Sequence, residues 1–227
     1  MLDADQRARL QPPGRVASLL AAALHALARL VMRRWLRLDA RGVEHLPAAG
    51  PCILAPNHES VLDPIAIAAV LSPAQRRHTF WGGFTERMFA TPWMCLVSRA
   101  FRVLPVAPAK RPVTSLAYGA AALSRGGLLV WFPEGRRHPG EEIGSFRPGV
   151  GSLARAQQAA MVPCLIRNTG AALPPGGWWP KRRRLLLRIG PAADAETLEA
   201  EGSGDTAAER IADALRRRVS ALAETEA

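Results

Sequence analysis

Short apolar runs alternate with longer segments of helical periodicity from residue 50 to the C-terminal part of the chain. Apolar runs bounded by turn residues predict strands, here at residues 52–56, 79–81, 103–106, 128–132, 162–167 and 185–189. Amphipathic periodicity predicts helices at residues 62–71, 86–97, 113–124, 149–159 and 206–223. This alternation predicts an α/β sandwich built around a largely buried sheet.

One long helix is predicted before this region, over residues 16–38, and it is rich in Ala and Leu. Arg29, Arg33 and Arg37 recur every four residues, which places them along one side of a helix. A transmembrane helix needs about 20 mostly apolar residues, so these charges favour a helix that lies in the headgroup region with Trp35 at the polar boundary. The alternative is an ordinary packing helix with a solvated basic face.

Composition limits the class of protein and the kind of partner. A chain of 227 residues is the size of one well-packed domain. Its formal net charge of +11 favours nucleic acid, an anionic membrane surface or phosphorylated substrates about equally. Cys52, Cys95 and Cys164 lie far apart in apolar runs, which indicates neither disulfides nor a zinc site, so a reducing cytoplasm is expected. No cleaved signal peptide is expected either.

An imidazole and a carboxylate stand five residues apart directly after the first predicted strand, at His58 and Asp63. A His that removes a proton from a hydroxyl needs a carboxylate to hold its ring in one tautomer and to stabilise the imidazolium that forms. No Gly-x-Ser-x-Gly elbow accompanies the pair, so the expected chemistry is base-assisted attack by a bound alcohol. The alternative is a capping histidine followed by a solvated first-turn acid.

A second polar cluster follows the predicted strand at residues 128–132. Gly135 allows close approach of a ligand to the backbone, and Arg136, Arg137 and Arg147 carry planar guanidinium groups suited to phosphate oxygens. Taken alone, this segment is more typical of a solvated turn than of a phosphate site. If both clusters follow parallel strands, they converge at one edge of the sheet.

The two clusters together resemble the glycerolipid acyltransferase family. The motifs are Asn-His-x-x-x-x-Asp, from Asn57 to Asp63, and Phe-Pro-Glu-Gly-x-Arg, from Phe132 to Arg137. Residues 101–106 and 161–164 resemble two weaker blocks of the family. The resemblance implies a mixed, largely parallel sheet flanked by helices. Residues 41–227 would then form the acyltransferase domain, preceded by a polar tail and a membrane-associating helix in residues 1–40.

The same resemblance implies roles for individual residues. His58 would be the general base and Asp63 the carboxylate that orients it, while Glu134, Gly135 and Arg137 would bind the acceptor. The reaction would move a fatty acyl group from acyl-CoA or acyl carrier protein to a lysophospholipid hydroxyl. The expected acceptor is 1-acylglycerol 3-phosphate, giving phosphatidate. No metal and no redox cofactor are implied.

The chain departs from the family pattern at the acceptor site. Arg136 stands where the family usually has Thr, and the block at residues 101–106 lacks the basic residue that commonly follows its Val. Arg136 could compensate for that charge or mark a different headgroup, and Arg102 is one of the nearest alternative cations. Two further hypotheses therefore stay open: an acyltransferase with another alcohol acceptor, and a non-catalytic lipid-binding homologue.

Paired tryptophans precede four cations in the segment from Trp178 to Arg184. Aromatic rings and cations of this kind suit the headgroup boundary of an anionic membrane. A solvated strand edge is the alternative, and nucleic acid is disfavoured because no recognised nucleic-acid-binding motif accompanies the segment. We therefore expect an enzyme at the cytoplasmic face of the cell membrane, bound peripherally or interfacially.

Overall fold

The computed structural model of the protein describes residues 7–84, 88–107, 110–138, 140 and 142–224. The strands are β1 (Asp39–Arg41), β2 (Cys52–Pro56), β3 (Thr79–Phe84), β4 (Val103–Val106), β5 (Leu128–Val130), β6 (Ala160–Arg167) and β7 (Leu186–Ile189). The helices are α1 (Arg15–Leu30, continued by one π-helical turn at Val31–Trp35), α2 (Asp63–Val70), α3 (Pro73–His78), α4 (Pro92–Ala100), α5 (Pro112–Leu123), α6 (Gly149–Gln157), α7 (Thr169–Ala172), α8 (Ala195–Glu201) and α9 (Ala207–Ala221).

All seven strands form one sheet in the order β1-β7-β6-β2-β5-β3-β4. Every neighbouring pair is parallel except β6 and β7, which pair antiparallel. Cys52 at the start of β2 pairs with Leu128 of β5 on one side and Ala160 of β6 on the other. The predicted mixed, largely parallel sheet is therefore confirmed, and β2, β5 and β6 lie at its centre.

Helices cover both faces of the sheet, which is why the central strands are apolar at every position. Successive side chains of a strand point to opposite faces, so Ile53 and Leu129 belong to the core beneath α5, α6 and α9, whereas Leu54 and Val130 belong to the core beneath α2. These two cores make the sheet a rigid platform for the loops at its ends.

Helix α1 packs against α2 and α4, and its C-terminal turn contributes Met32 to a third apolar cluster, together with Leu36 and Leu62. The opposite side of the helix exposes large apolar side chains, with Val16 and Leu19 more than 70% exposed. The span Arg15–Trp35 is also long and apolar enough to cross a membrane, judged by length and composition. Arg37, predicted to continue a basic stripe, lies beyond the helix with φ of +46°.

Most predicted elements agree with the structure to within two or three residues. The short strand β1 and the short helices α3, α7 and α8 were not predicted, because each has too few residues to show a period. Helix α4 begins six residues later than expected, where Thr91 caps its N-terminus by accepting a hydrogen bond from the Met94 amide. The first residue of the predicted helix, Glu86, lies outside the described residues. The division of the chain at residue 40 stays a prediction.

Gly151 sets how closely α6 approaches α9. A Cβ at this position would lie 2.4 Å from the backbone oxygen of Ala208 and 3.0 Å from Cβ of Ile211. We expect Gly151→Ala to lower the free energy of unfolding by about 1–3 kcal/mol, because the backbone of α9 would have to move. Urea denaturation measures this loss. Ser152→Ala, an exposed change in the same helix, is the control and should stay within about 0.5 kcal/mol of the unchanged protein.

Candidate active site

Two loops meet at one edge of the sheet because β2 and β5 are parallel neighbours. Asn57 and His58 leave the C-terminal end of β2, and residues 131–134 leave the C-terminal end of β5. The amide of Trp131 continues the pairing by donating to the Leu54 carbonyl at 2.9 Å. Asn57 links the first loop to β6, since its side chain donates to the Ile166 carbonyl and accepts from the Ile166 amide. The predicted convergence of the two motifs is confirmed.

Asp63 holds the His58 ring. The Asp63 side chain is fully buried at the first residue of α2, and its Oδ2 lies 2.7 Å from His58 Nδ1. The same oxygen accepts the backbone amides of Glu59 at 2.7 Å and Ser60 at 2.8 Å. Because Oδ2 already accepts two amides, it faces Nδ1 as an acceptor, and Nδ1 is the donor of this pair. Nε2 is then the ring nitrogen that can receive a proton.

Thr169, which the sequence motifs do not include, completes the environment of this carboxylate. Its hydroxyl contacts Oδ1 of Asp63 and lies 3.2 Å from Oε2 of Glu59. Glu59 also accepts the Gly170 amide and forms an ion pair with Arg167. Burial raises the pKa of Glu59, the charge on Asp63 acts in the same direction, and these hydrogen bonds and Arg167 oppose it. The sequence could have indicated Thr169 as a site residue only by its position. Thr169 follows the strand β6, and β6 neighbours β2 in the sheet.

Glu134 joins the two loops. Its Oε1 accepts the His58 amide at 2.8 Å, and its Oε2 contacts His138 Nδ1 and accepts the Gly144 amide at 3.3 Å. The His138 amide donates to the His58 carbonyl at 2.7 Å, and the Phe132 ring stacks on the His58 imidazole with centroids 4.1 Å apart. Glu134 is buried, and both of its oxygens already accept hydrogen bonds from the protein. This geometry makes it a residue that positions His58.

The predicted acceptor ligands from the second motif lie beside this junction. Gly135, Arg136 and Arg137 line the same cavity as His58. Gly135 has φ of +69°, and a Cβ there would come within 2.6 Å of Arg147 Nε, so the turn requires glycine. Exposed Arg147 approaches the Glu134 carbonyl at 3.4 Å and does not line the cavity.

Arg136 is tied into the hydrogen bonds around His58. Its Nε donates to His138 Nε2 at 2.9 Å, and the opposite nitrogen of that ring contacts Glu134. In this arrangement His138 accepts through Nε2 and its Nδ1 faces the Glu134 carboxylate. The residue that departs from the family pattern is thus held by a second histidine.

Arg102 is not brought to this cluster. It precedes β4, at the opposite edge of the sheet from the ends of β2 and β5. Its guanidinium stacks over the Phe80 ring at 3.9 Å and donates to the backbone oxygens of Arg77 and Leu10. Its side chain thus packs the far end of the sheet, so the structure does not support its predicted role as a substrate ligand.

A cavity of about 780 Å³ extends from His58 between the sheet and helices α1, α2 and α4. Its walls are mostly apolar and include Leu24, Leu27, Val31, Met32, Leu62, Ile65, Ala68, Trp81, Val103 and Trp131. His25 also lines it, and burial lowers the pKa of His25 to about 4, with Arg76 and Arg29 acting in the same direction. At neutral pH this imidazole is uncharged, so the cationic groups of the wall are Arg136 and Arg137.

Residues 37–167, which contain both motifs and the cavity-lining strands, match the family model described as Acyltransferase. The chain belongs to the acyltransferase family. The resemblance inferred from the two motifs is thereby confirmed, and the matched region begins close to β1 and ends with β6.

Curated members of this acyltransferase family are similar to the chain at modest identity. The 1-acyl-sn-glycerol-3-phosphate acyltransferase BAT2 of Brassica napus is 28% identical over 148 residues, which are 62% of this chain and 40% of that protein. An enzyme of the same name from Pseudomonas aeruginosa is 26% identical over 85% of this chain and 70% of that protein. The chain thus spans about two fifths of the plant relative's length.

A solved structure has a similar fold. The crystal structure of the 1-acyl-sn-glycerophosphate acyltransferase PlsC from Thermotoga maritima superposes with a TM-score of 0.70 at 20% identity. The superposition covers 94% of this chain and 84% of the Thermotoga chain. At this identity the likeness concerns the fold, including the seven-stranded sheet described above.

Thr169 should stabilise the buried carboxylates of Asp63 and Glu59. We expect Thr169→Val to lower the free energy of unfolding by about 1.5–3 kcal/mol, because a hydrogen bond to a charged group is lost inside the protein. Thr79→Val is the control, since Thr79 is equally buried but donates to the neutral Gln75 carbonyl at 2.8 Å. The control should lose about 1 kcal/mol. Equal losses in urea denaturation would contradict the role of Thr169.

Proposed function

We propose that the chain transfers a fatty acyl group from an acyl thioester to the hydroxyl of a lysophospholipid, with 1-acylglycerol 3-phosphate as acceptor and phosphatidate as product. One observation carries this proposal: the His58–Asp63 pair lies at a cavity that is apolar over most of its length and cationic at Arg136 and Arg137. The family membership and the names of the relatives support the same reaction.

His58 acts as a general base in this mechanism. Nε2 takes the proton of the acceptor hydroxyl while the hydroxyl oxygen bonds to the thioester carbonyl carbon, and Asp63 stabilises the imidazolium that forms. The tetrahedral intermediate then expels the thiolate, which recovers the proton from the imidazolium. The products are an ester and a free thiol. Both the base and the anion ligands are side chains, so the proposed reaction draws on no metal or redox cofactor.

The cationic end of the cavity would bind the acceptor phosphate. Arg136 and Arg137 are adjacent, and guanidinium groups form paired, charge-assisted hydrogen bonds with phosphate oxygens. The bond from Arg136 to His138 limits the positions that the first guanidinium can take. An anionic headgroup larger than a phosphomonoester is the second candidate acceptor, because Arg136 adds a charge where the family usually has Thr.

The apolar part of the cavity would hold an acyl chain. Each methylene group removed from water contributes about 0.8 kcal/mol. A wall of Leu, Val, Met and Trp side chains therefore favours the burial of a long acyl chain. Acyl-CoA and acyl carrier protein remain equivalent as donors in this proposal, because both present the same thioester.

Helix α1 would place the enzyme at the membrane, where the lysophospholipid acceptor resides. One side of the helix forms a cavity wall, and the other exposes Val16, Leu19 and Leu30. A helix face with several large exposed apolar side chains is unusual in a soluble monomer. Such a face is typical of a helix that lies in the headgroup region. We propose peripheral attachment to the cytoplasmic face of the cell membrane.

His58→Ala should abolish acyl transfer while leaving the fold intact. A positioned base contributes about 10²–10⁴-fold to the rate, so thiol release in the presence of 1-acylglycerol 3-phosphate should fall by that factor. His78→Ala is the matched control, because His78 is exposed at the end of α3. A His58 variant that keeps more than about a tenth of the turnover would exclude the base assignment.

Arg137→Ala should weaken acceptor binding. We expect KM for 1-acylglycerol 3-phosphate to rise about 10- to 100-fold, because charge-assisted hydrogen bonds contribute about 1.5–3 kcal/mol. KM for the thioester should change little. The control is Arg125→Ala, which removes an exposed cation just before β5, at the opposite edge of the sheet.

Arg136 can be tested in parallel by restoring the residue that the family usually has. Arg136→Thr should change the preference among lysolipids that differ in headgroup charge, measured as the ratio of kcat/KM values. An unchanged acceptor KM in Arg137→Ala together with an unchanged ratio in Arg136→Thr would contradict the acceptor site.

A further inference from the structure

Two tryptophans project from the loop between α7 and β7, which we call the basic loop (residues 173–185). Trp178 is 89% exposed and Trp179 is 63% exposed, with ring centroids 6.3 Å apart. Each ring is too large to be left in water without cost, and tryptophan has an amphipathic ring suited to the boundary between headgroups and acyl chains. Neither the fold nor the proposed catalytic site uses these rings.

Four consecutive cations follow the tryptophans and form a recess. Lys181, Arg182, Arg183 and Arg184, together with Asn168, line a surface recess of about 460 Å³. Arg184 forms an ion pair with Asp39, with Nη2 and Oδ2 2.9 Å apart. Among the residues that the structure describes, no carboxylate forms an ion pair with the other three cations. The recess therefore presents uncompensated positive charge to an anion.

Hydrogen bonds hold the basic loop to the two parts of the protein that the lipid substrates would approach. Trp35, at the end of the helical span that begins with α1, donates through Nε1 to the Pro180 carbonyl at 3.1 Å. Ser60, between His58 and Asp63, donates through Oγ to the Leu173 carbonyl at 3.0 Å. At the far end of the loop, the Asn168 side chain donates to the Arg184 carbonyl at 3.0 Å.

The basic loop also lies at the edge of the sheet that carries the candidate active site. Asn168 follows β6, which runs parallel to β2, so the basic loop leaves the same edge of the sheet as His58. A surface that bound to this loop would face the catalytic edge.

We propose that the basic loop is a second membrane-binding site, in which the recess of Lys181 to Arg184 binds the phosphate of an anionic phospholipid and Trp178 and Trp179 insert beside it. Charge complementarity commits the loop to an anionic bilayer, and the exposed ring pair favours lipid over an acidic protein or a nucleic acid. The site extends the contact made by α1 to the other side of the catalytic edge. It is separate from the acyl-transfer chemistry, and its test needs no turnover.

The test measures the partition of the full chain onto vesicles. Vesicles of phosphatidylcholine with 30 mol% phosphatidylglycerol, about one anionic lipid in three, should bind more tightly than pure phosphatidylcholine, and higher salt should weaken the difference. Removing two cations with Arg182→Ala and Arg183→Ala should lower the partition coefficient about 30-fold on the anionic vesicles. On neutral vesicles the change should be small.

The matched control removes two exposed cations from the opposite edge of the sheet. Arg125 precedes β5 and Arg155 lies near the end of α6, before β6. Arg125→Ala with Arg155→Ala has the same net charge as the loop variant but should keep most of the binding. Equal losses in the two double variants would mean that binding depends on net charge alone, and this would overturn the site.

The tryptophans are tested by contact with the bilayer. Lipids brominated near the headgroup should quench the fluorescence of the unchanged protein, and Trp178→Ala with Trp179→Ala should remove much of that quenching. Trp93→Ala, an exposed tryptophan of α4, is the comparison. Unchanged quenching in the double variant, or binding of an acidic carrier protein through the basic loop without binding of anionic vesicles, would also overturn the proposal.

Discussion

The buried Asp63 carboxylate is the interaction around which the candidate site is built. A fully buried charge is costly unless several donors satisfy it. Three donors here are neighbours in sequence, namely the His58 ring and the amides of Glu59 and Ser60, and the fourth is the hydroxyl of the distant Thr169. Because these groups must surround one carboxylate, the loop after β2, the start of α2 and the end of β6 are held together. The orientation of His58 follows from this requirement.

Glu134 provides the second connection and explains how the motif after β5 contributes to the site. Its carboxylate spans from the His58 amide to the His138 ring, which in turn accepts from Arg136. Glu134, which the resemblance implies as an acceptor ligand, here connects the loop that carries His58 to the cationic wall of the cavity. The position of Arg136 is thereby tied to that of His58, because one buried carboxylate contacts both the His58 amide and the ring that accepts from Arg136.

Helix α1 serves the site and the proposed membrane surface at once. Its inner side closes the cavity, and its outer side is apolar and uncovered. The Trp35 contact with Pro180 then links that helix to the basic loop. A lysophospholipid in the proposed membrane would thus meet α1 and the basic loop beside the cavity that holds His58.

Local sequence determined the apolar strands, most helices and the two motifs, because the period of hydrophobic residues and the chemistry of neighbouring side chains are properties of short segments. The pairing of His58 with Asp63 was also determined locally, because side chains five residues apart at the start of a helix can form a hydrogen bond. Strand order determined three other features: the contact of Thr169 with Asp63, the bridging role of Glu134, and the position of Arg102 away from the site. Residues more than 70 positions apart meet, or end at opposite edges, only according to which strands pair and in which direction. Tertiary structure alone decided those contacts.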